Sequence, residues 1–130
     1  MDNKIKHLEM IERIIERMAK NSFMLKGWAV TLIVGIIAVV ARMELQFWII
    51  SVVPLLMFWA LDSYYLSIER KYRELYNSVR LKKDFDIDYA ISVKLTASDY
   101  FKAMISLTEA LFYCVLFVAV IAVFIICKMV

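Results

Sequence analysis

Asp84, Asp86 and Asp88 stand at alternate positions, the spacing at which a calcium loop supplies its first oxygen ligands. Such a loop also needs glycine at its sixth position and an acid at its twelfth, where this chain has Tyr89 and Leu95. The triplet is therefore read as a solvated acidic loop, with no metal assigned to it. His7 is the single histidine. It falls on the polar side of a helical pattern with no cysteine or second histidine near it, and is expected to be exposed. Cys114 and Cys127 lie 13 residues apart in an apolar run, about 20 Å along a helix, so they cannot pair within it. They read as small, inert side chains. No nucleophile with a base, phosphate loop or zinc pattern can be assembled, which argues against an enzyme and leaves no cofactor to assign.

Asp62 has the sharpest functional reading. It follows an uncharged stretch at 45–61, and the next charge after it is Glu69. A helix embedded that far carries the acid within the bilayer boundary, where ionisable groups face a bundle interior, a partner or a water-filled path. Asp62 is thus the candidate pore or bundle polar residue; in a channel it would lie at the inner mouth and favour cation entry. The plainer alternative is that it only marks the interface.

The elements that must position these residues follow from composition. Of 130 residues, 63% are apolar, well above the roughly half of a soluble domain, so the chain needs a hydrophobic solvent. Uncharged stretches run over 27–41, 45–61 and 110–127, each near the lower end of the roughly 17 to 25 residues that cross a bilayer. Lys26 and Arg42 can extend the first to 23–42 by running their stems along hydrocarbon and their charges to the headgroups. The fold class expected is an all-α membrane protein with three transmembrane helices, an N-terminal hairpin at 23–42 and 45–62 plus a C-terminal span at 110–127. One membrane domain, 1–130, accounts for the chain, with an amphipathic cytoplasmic helix at 1–22 and a cytoplasmic helix and loop at 63–109.

Charge distribution orients the spans. Fourteen of the 16 Lys and Arg residues lie before residue 27 or between 62 and 109, which places these segments in the cytoplasm and the hairpin turn and Val130 outside. Trp28 and Trp59 then sit near the inner interface and Trp48 near the outer one. A net charge of +3 with both signs interspersed offers no case for a nucleic-acid polymer as partner.

In the first segment Ile5, Leu8, Ile11, Ile15 and Met18 recur at helical spacing, and four acids offset six bases among the first 26 residues. A lipid-binding helix favours bases on its polar face, so packing on another protein helix is the better reading. Tyr72, Leu75 and Val79 repeat the pattern beyond the second span, which should continue as one long helix. These eight residues are the candidate oligomerisation set, their partners lying within one protomer or between protomers. Asn21 and Ser22 offer a cap or bend before the first span. Residues 82–98 read as a short strand or extended connection, and Thr96 with Asp99 as a cap for a last helix running from about 97 to 127. Thr31, Gly35 and Ala38 form a small-residue stripe suited to close helix packing, and Pro54 interrupts the second span with a missing hydrogen bond.

The stretches 7–11, 17–32 and 58–62, with Glu69 and Arg70, resemble a family of small bacterial membrane proteins of unassigned function. The hairpin with flanking helices is also similar in architecture to the two-span antiphage effectors of the SLATT group, to which this chain adds a third span. The resemblance implies an inner-membrane, multi-pass effector that oligomerises or opens to depolarise the cell, triggered by a defence-system partner or a small signal molecule. The function expected is a homo-oligomeric channel or pore-forming effector. A noncatalytic membrane anchor or regulatory subunit is the alternative.

Overall fold

A computed structural model describes every residue except Met1 and Arg42, and every side chain except theirs and those of Leu45, Phe47 and Asp84. The snorkelling role expected of Arg42 lies outside the described residues. Among the described residues, four α-helices and one short 3-10 turn follow in order: α1 (Asp2–Val40), α2 (Leu45–Leu81), the turn Asp84–Asp86, α3 (Ala97–Met104) and α4 (Leu107–Met129). Helices α1, α2 and α4 are each long and apolar enough to cross a membrane. The chain is thus an all-helical, multi-pass membrane protein.

Helices α1 and α2 have 39 and 37 residues, about 58 and 55 Å, so both project well beyond a hydrocarbon core of about 30 Å. They form an antiparallel hairpin whose far half is a polar stalk. The bend expected at Asn21–Ser22 is absent, because α1 continues unbroken through both residues. With no glycine or proline between Asp2 and Lys26, nothing in the backbone forces a break, and Ser22 uses its hydroxyl on α2 instead of a cap. Helix α2 likewise runs on through Pro54.

Two apolar clusters hold the molecule. Within the spans, Ala29, Ile33, Val40, Trp48, Leu55, Tyr113 and Val120 are buried together. Lipid is as apolar as these side chains, so close van der Waals packing has to supply the cohesion there. Ala29 and the serines Ser51, Ser63 and Ser67 are essentially inaccessible, and such small residues let helix backbones approach. Ser51 and Ser67 donate to the carbonyls of Trp48 and Tyr64 on their own helix, at 2.6 and 2.7 Å. The stripe expected to pack, Thr31, Gly35 and Ala38, faces outward: all three are exposed, and a Cβ on Gly35 would meet nothing within 4 Å. Trp48, near the hairpin end of α2, is 4% exposed and meets Phe124 edge-on at 5.1 Å.

In the stalk Ile11, Ile15, Val79 and Ile87 form the second cluster, with Leu8, Tyr72, Leu75 and Tyr76 packed against it. The two amphipathic helices therefore partner each other within one chain. Ile5 is exposed and Met18 half-buried, and neither belongs to this cluster.

After the 3-10 turn, residues 87–96 form an irregular extended connection. It folds back along the stalk and buries His7, which is 3% exposed and meets the Tyr89 ring edge-on at 5.2 Å. The exposed histidine expected from helical position alone is thus covered by a segment distant in sequence. Tyr89 adopts φ 58°, a left-handed conformation uncommon for a bulky residue, and this contact accompanies it.

The single last helix expected over 97–127 is two helices, broken at Ile105 and Ser106. Thr96 and Asp99 form a reciprocal capping box at the start of α3. It is held to α2 at its middle, where Tyr100 donates to the Ala60 carbonyl at 2.9 Å, and at its end, where the Trp59 indole N–H donates to the Met104 carbonyl at 3.1 Å. A carbonyl freed at a helix end needs such a donor. Anchored in this way, α3 stops and α4 begins anew at Ser106.

Candidate functional site

Polar residues from all three spans converge on one place. Ser22 and Lys26 are four residues apart on α1, as are Glu109 and Tyr113 on α4, so each helix shows two polar groups on one face. Helix α2 contributes Asp62. Measured along the helices, Lys26 stands 14 residues from the end of α1 and Asp62 17 from the start of α2, about 21 and 26 Å from the hairpin turn. The cluster therefore lies at one boundary of a hydrocarbon layer about 30 Å thick, at the stalk end.

Lys26 Nζ is its hub. It donates to Asp62 Oδ2 at 2.6 Å, Glu109 Oε1 at 2.9 Å and Ser22 Oγ at 3.1 Å, and lies 5.7 Å from the Phe112 ring centre. Ser22 Oγ donates to Asp62 Oδ1, and the Tyr113 hydroxyl donates to Asp62 Oδ2 at 2.9 Å. Asp62 is 0% exposed, Glu109 1% and the Lys26 side chain 21%. Lys26 thus turns inward to pair, whereas the sequence reading sent its charge to the headgroups.

Donors are shared unequally. Asp62 accepts from three side chains, Lys26, Ser22 and Tyr113, so each of its oxygens has a partner. Glu109 accepts from Lys26 alone, and its Oε2 is buried with no partner. Two acids thus share one ammonium in a setting where unpaired charge is costly. This arrangement can lock three spans at one level or bind a compensating positive charge, and it can separate if that balance changes.

Asp62 occupies the bundle interior and does not border an open path within this chain. Of the other two contributors of charge, Lys26 was read from sequence only as a snorkelling end of the first span, and Glu109 was not singled out. Glu109 stands immediately before the apolar run 110–127 and was assigned to the connecting segment. Its four-residue spacing to Tyr113 was the available signal. Thr31 and Gly35 line an outward apolar groove of about 560 Å³ with Trp28, Leu32, Ile36 and Ile50 among its walls. Compared with known proteins, the chain matches no protein family, no curated protein and no solved structure.

Proposed function

We propose that the chain is a homo-oligomeric membrane channel or pore-forming effector, in a closed form. The observation carrying this reading is the enclosed cluster of Lys26, Asp62 and Glu109, shared by all three spans. Anchoring alone needs only apolar helices. Buried ion pairs are often no more stabilising than apolar packing of the same volume, whereas ionisable groups at membrane depth characteristically mark ion or proton pathways. One protomer offers a sealed bundle, so a conducting path has to lie between subunits, opened when the cluster parts.

In this reading the protein lies in the bacterial inner membrane with the stalk, N-terminus and α3 in the cytoplasm and the hairpin turn and C-terminus outside, by the bias of Lys and Arg. The architectural resemblance of the hairpin and its flanking helices to two-span antiphage effectors extends it to antiphage defence, with a defence partner or small signal molecule as trigger. Membrane depolarisation would be the consequence.

A second reading, a noncatalytic anchor or regulatory subunit, draws on the stalk. Its apolar faces are already closed on each other, leaving polar faces free to receive a soluble partner. Native mass measurement in nanodiscs, together with ion flux from proteoliposomes, separates the two. An oligomer whose flux, low while the cluster is closed, changes in Asp62→Asn is expected for the channel. A monomer that carries no flux, in wild type and variant alike, would overturn it in favour of the anchor.

A further inference from the structure

We propose that Glu109 is a proton-binding site: with the spans closed, its Oε2 carries a proton taken up from water, making the cluster a neutral set of ammonium, carboxylate and carboxylic acid. The inference deepens the closed-channel reading by naming the ligand that seals it. It rests on that reading only for its consequence, since occupancy by the proton is measurable without any current.

The geometry assigns the proton to Glu109 and not to Asp62. Lys26, Ser22 and Tyr113 all donate to Asp62, and a carboxylate so surrounded is satisfied as an anion. Glu109 receives only Lys26, and its second oxygen meets no donor although the residue is 1% exposed. An unpartnered anionic oxygen in such a place is far costlier than a neutral carboxyl. With both acids ionised, the Lys26 charge leaves one negative charge uncompensated inside the bundle. One proton removes it.

Among the described residues no other charge is placed to do so. Helix α1 presents Lys26 and Ser22 to the site, α2 presents Asp62, and α4 itself presents Tyr113. On α3, Asp99 is engaged with Lys71 at 3.0 Å and Lys102 is exposed. Loss of the Glu109 proton to water would restore the excess negative charge around Lys26 and loosen the junction of the three spans. Lys26, bonded to Glu109 and 21% exposed, gives the cluster a side that meets solvent.

The test is infrared spectroscopy of the full chain in phosphatidylcholine vesicles. At neutral pH we expect a protonated-carboxyl C=O band that shifts on labelling with carboxyl-¹³C glutamate, stays put on labelling with carboxyl-¹³C aspartate, and disappears in Glu109→Gln and at alkaline pH. The isotope experiment needs no variant and holds even if Glu109→Gln fails to fold. A band that follows the aspartate label, or one that survives in folded Glu109→Gln, would overturn the assignment. So would the absence of any such band, whether or not sodium or potassium raises the unfolding temperature at constant ionic strength; a rise would identify a metal cation in the proton's place. Failure of the channel reading shows separately, as a band of the expected behaviour in a protein that carries no flux even at the alkaline pH that removes the band.

Discussion

Lys26 is the single cation bonded to two carboxyl groups, and that asymmetry decides which substitutions hurt. Lys26→Met should cost about 3–5 kcal/mol, the range for stranding a buried charge, read as a lowered denaturation midpoint in detergent. Replacing Lys26, Asp62 and Glu109 together by Met, Leu and Leu should leave the midpoint near that of wild type, since no unpaired ion remains. A triple variant as unstable as Lys26→Met would mean that the cluster itself holds the bundle together. Tyr113→Phe removes one donor from Asp62. It should cost less, about 0.6–1.7 kcal/mol, as single hydrogen bonds between membrane helices do.

At the scale of elements, the stalk depends on apolar contacts between α1 and α2, where Ile11 is 0% and Val79 1% exposed. Ile11→Ala should destabilise this hairpin by about 2–5 kcal/mol, seen as faster proteolysis and amide exchange in 2–20 and 70–81. Because the contacts lie within one chain, its mass in nanodiscs should stay that of wild type. A change in mass would show that Ile11 also serves assembly. Helix α3 supplies a pH dependence. The Thr96 hydroxyl, then the Lys71 ammonium, hold the Asp99 carboxyl down at about 2, against an ordinary 3.8. A lowered acid stabilises above its unfolded value, and the contribution is lost as pH falls through the folded one. Amide exchange in α3, corrected for intrinsic rates, should therefore be unchanged from pH 7 to 5 and rise between about pH 4 and 2. Asp99→Asn should abolish that rise.

For the whole molecule, orientation is the first question, because every functional statement about the stalk depends on it. Single cysteines placed at positions 3 and 86 should be shielded from an impermeant thiol reagent in intact cells, while one at position 44 should react. Reaction at position 86 would reverse the topology and put the ion cluster at the outer boundary.

Much of this architecture is legible in the chain itself. Runs of 15 to 18 uncharged residues have to be shielded from water, and in lipid a helix satisfies its own backbone, so three helical spans follow from local sequence. The amphipathic periods around Ile11 and Val79 and the Thr96–Asp99 cap are equally local. What tertiary structure decided is how those helices face one another. Helical position alone put His7 in solvent, and the fold reverses this because Tyr89, distant in sequence, covers it; Phe124 likewise covers Trp48, and Gly35 is left open within this chain. Lys26, Asp62 and Glu109 are separated by 36 and 47 residues. Their meeting depends on the helices' rotation and relative depth, and on the break at Ile105–Ser106 that redirects α4.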